Sequence, residues 1–175
     1  MNKLKIAFGF QMGAGKGTSA QILREVIGGQ ILSFATPIYD IMDFAQEKCN
    51  LPRQKDRLFL QIIGTEWGRT VKEDIWTDIL LKKASTLECN VYVDDLRFPN
   101  EMKALQKDGW TCVLVRRNDI DTNRVGNGSS SHISEISLSD DSNWDYIIDN
   151  DSTVEELRSK LLKMANILHL RTTSI

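Results

Sequence analysis

Apolar and polar positions change along this chain from one regular spacing to another. The apolar run at 4–10 predicts a first strand, and a glycine-rich segment follows it at once. Apolar side chains then recur at helical spacing over 18–27, and a second apolar run at 30–34 predicts another strand. A strand, a glycine turn, a helix and a second strand in this order are typical of a right-handed crossover in a parallel sheet.

The rest of the chain repeats this alternation and predicts about five strands in all. The further strands are predicted at 90–94, 110–115 and 146–148, and the further helices at 38–49, 53–63, 71–87, 100–108 and 154–168. Glycines at 64–68 interrupt the helical pattern between the second and third of these helices. The fold class that follows is α/β: one three-layer, doubly wound parallel sheet, with 1–175 forming a single domain.

Two stretches depart from this simple alternation. The helical stretch 37–88 is too long for one crossover, so we interpret it as an insertion that builds a substrate site. The segment 118–131 is polar and rich in Gly, Ser, Asn and Asp, which predicts a long loop.

Composition narrows the class of protein. The 175 residues are 41% hydrophobic and 26% charged with a net charge of −2, which is ordinary for a globular protein and argues against one that coats nucleic acid. No apolar run is long enough to span a membrane and the N-terminus lacks the features of a signal peptide, so we expect no membrane partner and a cytoplasmic location. The three cysteines are predicted to be free thiols.

The segment Gly13–Thr18, here called the phosphate loop, joins the first strand to the first helix. Its glycines let successive N–H groups point into one concavity at a helix N-terminus, and Lys16 adds a cation for β- and γ-phosphates. The general pattern has glycine where this chain has Phe10 and a hydroxyl residue where it has Gly17. The spacing is similar to that of adenylate-kinase-like phosphotransferases, with Thr18 supplying the hydroxyl; the alternative is a flexible turn with a solvated lysine.

The predicted strand 90–94 ends in two acids, Asp94 and Asp95. An acid at the carboxyl end of a strand beside a phosphate loop can hold Mg²⁺ directly or through water. Adjacent side chains on a strand point to opposite sides, so we expect one of the two to face the metal, with Asp94 the first choice. The alternative is a strand-ending turn with two solvated acids.

Four segments together resemble the bacteriophage-type deoxynucleoside monophosphate kinases, and the resemblance spans about 4–150. A fifth, weaker element is His132-Ile133-Ser134-Glu135. The four segments are Gly13-Ala14-Gly15-Lys16-Gly17-Thr18, Phe34-Ala35-Thr36-Pro37, Gln61-Ile62-Ile63-Gly64-Thr65-Glu66-Trp67-Gly68-Arg69 and Asp94-Asp95-Leu96-Arg97-Phe98-Pro99-Asn100-Glu101.

The resemblance implies an enzyme that uses ATP and Mg²⁺ to phosphorylate a deoxynucleoside 5′-monophosphate to the diphosphate. It implies a phosphate-loop kinase fold with a helical acceptor-binding region at about 37–88 and a lid at about 118–134. If the protein is viral, its location would be the host cytoplasm. The partner would be a small molecule rather than nucleic acid, and a homodimer is compatible with this picture.

The resemblance also implies residue roles. ATP phosphates would lie on the phosphate loop with Lys16, and Mg²⁺ would be held by Thr18 and Asp94. Arg69 would hold the acceptor phosphate, and Arg97 would help there or brace Glu66. The acceptor-binding set is Phe34, Gln61, Glu66, Arg69, Trp76, Asp95 and Arg97.

For the aromatic and lid side chains, alternatives stay open. Phe34, Trp67 or Trp76 would stack on a base or simply pack in a core, while Gln61 would read a base edge. From the lid, Arg117 and Arg124 would close over the transferring phosphate, with Arg116 and Arg117 pointing to opposite sides of a strand end. His132 would order the lid hinge or lie on the surface.

Two other functions remain. A different small-molecule kinase of the same fold, such as dephospho-coenzyme A kinase or an adenylate-kinase relative, would differ in the acceptor region 61–101. A nucleotide-binding switch would bind nucleotide without an acceptor, and the guanine-specificity motif Asn-Lys-x-Asp is absent.

Overall fold

A computed structural model describes residues 3–10, 12–118, 138 and 143–173. The chain divides into two compact units: a sheet unit, Met1–Leu32 with Leu87–Ile175, and a helical unit, Ser33–Thr86. The helical unit overlaps the predicted insertion at 37–88. Most of the predicted lid lies outside the described residues, so the assignment of one domain with an insertion and a lid stays a prediction.

Five parallel strands build the sheet unit, in the spatial order β2-β3-β1-β4-β5. The parallel α/β prediction is therefore confirmed. The strands are β1 (Lys5–Gly9), β2 (Gln30–Leu32), β3 (Val91–Leu96), β4 (Thr111–Arg116) and β5 (Tyr146–Asp149).

The helices of the described residues are distributed between the two units, with three in the sheet unit and the others in the helical unit. They are α1 (Lys16–Ile27), α2 (Thr36–Lys48), α3 (Arg57–Gln61), a π-helical segment (Ile62–Trp67), α4 (Gly68–Val71), α5 (Ile75–Ser85), α6 (Pro99–Lys107) and α7 (Val154–Thr173).

The direction of each crossover places α1 and α6 on opposite faces of the sheet. The connection from β1 to β2 runs one way across the sheet, and the connection from β3 to β4 runs the other way. Because both crossovers are right-handed, their helices cover opposite faces. The carboxyl ends of the neighbouring strands β1 and β3 therefore flank a topological switch point, where open α/β sheets bind ligands.

One face of the sheet forms the main hydrophobic core with α1 and α7. Ile6 and Phe8 of β1 are fully buried there, and Leu23 of α1 and Leu161 of α7 pack into the same cluster. Ala7 lies between them in sequence and is equally buried, because the sheet is covered on both faces and its strands are apolar throughout. This packing holds the strand ends that carry the polar groups described below.

The helical unit contradicts the predicted break at 64–68. The chain stays helical through these residues as a π-helical segment, and the break falls instead at Lys72, where φ is −155° and ψ is 114°. Gly68 permits this arrangement, because a Cβ there would come 2.5 Å from the Trp76 ring. The glycines that looked like a helix stop are sites of close packing.

Other boundaries differ by a few residues. β2 ends at Leu32 rather than at the predicted 34, so Phe34 lies beyond the strand, and β3 continues past the predicted end at 94 to Leu96. The three cysteines are free, as predicted, with Cys112 buried and Cys49 exposed. Among the described helices, none is both long enough and apolar enough to cross a membrane.

Candidate active site at the phosphate loop

The phosphate loop follows β1 with a backbone that glycine makes accessible. Gly13 and Gly15 have φ of 79° and 103°, and Phe10 just before the loop has φ of 82°. A left-handed φ at a bulky residue costs on the order of 1–3 kcal/mol, which explains why the general pattern has glycine at position 10. Position 10 is therefore a strained entry to the loop.

Gly15 starts α1 and faces a neighbour that leaves no space for a side chain. A Cβ at Gly15 would come 2.5 Å from Nδ2 of Asn150. The same Nδ2 donates a hydrogen bond to the carbonyl oxygen of Ala14 at 2.8 Å. Asn150, which no pattern in the sequence singles out, thus contacts the phosphate loop directly.

Lys16 opens the first turn of α1 and folds back over the loop. Its Nζ donates a hydrogen bond to the carbonyl oxygen of Phe10 at 2.8 Å. The side chain is half-buried, so the ammonium group is held beside the glycines rather than extended into solvent. This position suits a cation that neutralises phosphate charge.

Asp94 reaches the phosphate loop from β3. Its Oδ2 would lie 3.4 Å from a Cβ built on Gly17, so a side chain there would contact the carboxylate. Desolvation and then the neighbouring Asp95 raise the pKa of Asp94, while Lys16 opposes that shift. The carboxylate is thus held at a position where a cation would favour its charged form.

Arg97 and Glu101 follow β3 at the same edge. Oε2 of Glu101 accepts hydrogen bonds from the backbone N–H groups of Arg97 at 3.0 Å and Phe98 at 3.1 Å, which caps α6. Glu101 is 1% exposed, and Arg97 is exposed and lines the cavity described next.

A cavity of about 350 Å³ opens at this switch point. Its walls include Lys16, Gly17 and Thr18 from the phosphate loop and Asp94 and Arg97 from the end of β3. Thr18 and Asp94 offer oxygen donors, which suit Mg²⁺ when phosphate and water complete its shell. Within the described part of the chain, no three or more His, Cys, Asp or Glu side chains are grouped so that they could hold a metal ion.

The helical unit carries three of the predicted acceptor residues along one continuous helical run. Gln61 ends α3, Glu66 lies in the π-helical segment and Arg69 lies in α4. Gln61 and Glu66 are exposed and Arg69 is partly buried. A π-helical turn widens the helix and is frequent at functional sites.

The aromatic candidates separate clearly by exposure. Phe34 and Trp76 are 4% and 2% exposed, whereas Trp67 is 49% exposed. The indole of Trp76 donates to the carbonyl oxygen of Gly64 at 2.8 Å, satisfying a carbonyl of the π-helical segment. Core packing is therefore favoured over base stacking for Phe34 and Trp76, and Trp67 is the exposed ring of the three.

Only some of the predicted lid residues are among those that the structure describes. Arg116 pairs with Asp149 of β5 at 2.7 Å, while Arg117 follows β4 and is exposed. Within the described chain, Arg117 does not line the cavity. Arg124 and His132 lie outside the described residues. Of the two neighbouring acids, Asp94 lines the cavity in the described part of the chain. Asp95 is partly buried and is not among the lining residues described there.

Comparison with known proteins places this chain among kinases. The family model for deoxynucleotide monophosphate kinase matches residues 56–161. A viral protein, uncharacterized protein ORF77 of Ictalurid herpesvirus 1 (strain Auburn), is 30% identical over 161 residues, which is 89% of this chain and 68% of that protein. The matched range contains both the helical run with Arg69 and the β3 end with Asp94.

Solved structures are similar in fold at low sequence identity. A sugar kinase from Janibacter sp. HTCC2649 is 12% identical with a TM-score of 0.56, over 95% of this chain and 96% of that chain. The APS kinase CysC of Mycobacterium tuberculosis, in complex with AMPPNP and APS, is 13% identical with a TM-score of 0.55, over 95% of this chain and 99% of that chain. The predicted phosphate-loop kinase fold is thereby confirmed.

Proposed function

Because this chain belongs to the deoxynucleotide monophosphate kinase family, we propose that it transfers the γ-phosphoryl group of ATP to a deoxynucleoside 5′-monophosphate. The chain is a small-molecule kinase. What we propose is that ATP is the phosphoryl donor, that a deoxynucleoside monophosphate is the acceptor, and which residues bind each of them. The observation that carries it is that the family match includes both acceptor segments, 61–69 and 94–101. The phosphate loop lies outside that match and supports the proposal independently.

The sheet unit would bind the triphosphate. Phosphoryl transfer needs alignment and charge neutralisation more than covalent chemistry. Lys16 and the loop N–H groups supply positive charge beside the cavity, and Arg97 adds a guanidinium at its wall. Thr18 and Asp94 would hold Mg²⁺, which would supply further neutralisation of phosphate charge when bound.

The helical unit would recognise the acceptor. Arg69 would bind the monophosphate through its planar guanidinium, which fits phosphate oxygens in pairs. Trp67 offers an exposed ring for a base, and Gln61 an exposed amide for a base edge. Glu66 would orient these groups from the same helical run. For the lid, Arg117 and Arg124 stay candidates for closing over the transferring group.

An acceptor panel tests the proposal. ADP release would be measured with dTMP, dGMP, dCMP and dAMP, their ribose analogues and dephospho-coenzyme A, with the diphosphate product identified by chromatography. We expect turnover with at least one deoxynucleoside monophosphate, and turnover about 10²-fold to 10³-fold lower in the Lys16→Ala variant. Turnover with dephospho-coenzyme A alone would assign the chain to the other kinase class. Tight nucleotide binding without any acceptor would indicate a switch.

A further inference from the structure

Asn150 connects the end of β5 to the phosphate loop across 136 positions of sequence. On the basis of the proposed function, we propose that Asn150 is a positioning residue that orients the phosphate loop for the phosphates of ATP. Its side chain acts on the peptide between Ala14 and Gly15, and it does so from outside the loop.

The geometry of one peptide plane explains this role. The described residues contain no cis peptide bond, so the carbonyl of Ala14 and the N–H of Gly15 point in opposite directions within their shared plane. With the Ala14 oxygen held by Asn150 at 2.8 Å, the Gly15 N–H points away from Asn150. Gly15 lines the cavity, so this N–H would serve an anion bound there.

This peptide plane is also the one that most needs an external tether. Gly15 has a φ of 103° and no side chain, and glycine adopts positive and negative φ at similar cost. Rotation of the plane would turn a carbonyl oxygen toward the cavity, where it would repel phosphate. The hydrogen bond from Asn150 disfavours that rotation.

Asn150 is itself held firmly by the ends of two strands. Its backbone N–H donates to the carbonyl oxygen of Arg116 at 2.7 Å. Before it in β5, Asp149 pairs with Arg116 and its carbonyl oxygen accepts from Lys160 at 2.7 Å. The donor is therefore placed by the sheet rather than by the loop that it contacts.

A second asparagine of the sheet unit provides a matched control. Asn90 precedes β3 at the opposite, amino-terminal edge of the sheet. Its Oδ1 accepts from the N–H of Leu4 at 2.9 Å, and its Nδ2 donates to the carbonyl oxygen of Ile27 at 3.1 Å. It makes the same type of bond as Asn150 without contacting the phosphate loop.

The test compares Asn150→Ala with Asn90→Ala by calorimetric titration of ATP and of inorganic tripolyphosphate. We expect Asn150→Ala to raise both Kd values about 5-fold to 10-fold, the effect of losing one hydrogen bond, and to leave the KM of the acceptor unchanged. We expect Asn90→Ala to lower Tm while both Kd values stay within about 2-fold of the parent's. Asn150→Asp, which keeps the size but loses the donor, should raise Kd further.

A direct readout separates orientation from general stability. In protein labelled with ¹⁵N-glycine, the Gly15 amide signal should broaden or divide in Asn150→Ala and stay sharp in Asn90→Ala. Unchanged Kd values and an unchanged Gly15 signal would overturn the inference, as would a parent protein that binds neither ligand. A parent that binds tripolyphosphate but phosphorylates no deoxynucleoside monophosphate would refute the proposed function alone, and the comparison of variants would still decide the role of Asn150.

Discussion

The sheet unit and the helical unit hold their polar groups by different means. In the sheet unit the cavity lies beside main chain that other groups hold in place: Asn150 bonds to Ala14 of the phosphate loop, and Glu101 bonds to the N–H groups that follow β3. In the helical unit the candidate groups are side chains on one helical run, several of them exposed. Main-chain sites are pre-organised for phosphate, a group common to many ligands, whereas side chains on a helix can vary with the acceptor.

The largest effect is expected from a comparison of Trp67 and Trp76 in the helical unit, which tests whether the buried ring contributes more to stability than the exposed one. Trp76→Ala should lower the free energy of unfolding by about 3–5 kcal/mol, because it removes a buried aromatic ring and its hydrogen bond to Gly64. The matched Trp67→Ala removes an exposed ring and should cost less than about 1 kcal/mol. Denaturant unfolding measures both. Equal losses would mean that the exposed tryptophan is also structural.

The next effect concerns the main-chain site. Lys16→Ala should lower kcat about 10²-fold to 10³-fold with every acceptor, because the charge beside the loop is lost for all of them. Lys5→Ala is the control, since Lys5 lies in β1 but pairs with Asp108 at 2.9 Å outside the cavity. Steady-state kinetics on both variants checks this. A loss confined to one acceptor would contradict a general role in binding ATP.

A smaller effect is expected for the helical run. Arg69→Ala should raise the acceptor KM about 10-fold to 100-fold and leave the Kd for ATP unchanged, because it removes charge-assisted hydrogen bonds to the acceptor phosphate alone. Arg69→Lys should restore part of the affinity, since it keeps the charge without the paired geometry. Initial rates over a range of acceptor concentrations measure the change. If ATP affinity fell instead, the division of roles between the two units would be wrong.

The smallest effect concerns how far the charged Asp94 carboxylate destabilises the ligand-free protein. Desolvation raises its pKa, so its charged form destabilises the ligand-free protein at neutral pH. Asp94→Asn should therefore raise Tm while it weakens activity. Differential scanning calorimetry on the ligand-free proteins tests this. A lower Tm for the variant would show that the carboxylate stabilises the fold.

Local patterns predicted the parallel sheet and the glycine-rich turn between β1 and α1 well. The alternation of apolar runs with helical spacing depends on neighbours a few residues apart, and so does the glycine spacing before Lys16. The same local reading failed at 64–68, where it took packing glycines for a helix stop. It also left open which of Asp94 and Asp95 faces the cavity, since alternation on a strand says that they differ but not which way each one points.

By itself, the sequence determined the class of fold and the position of the glycine-rich turn between β1 and α1, because both depend on spacing between near neighbours. Only the tertiary structure decided that Trp76 is buried, that the Glu101 carboxylate accepts the N–H of Arg97, and that Asn150 bonds to the carbonyl oxygen of Ala14. A capping contact spans a few positions, but the bond from Asn150 joins residues 136 positions apart. Such a contact exists only once the sheet has brought the ends of β1 and β5 to the same edge.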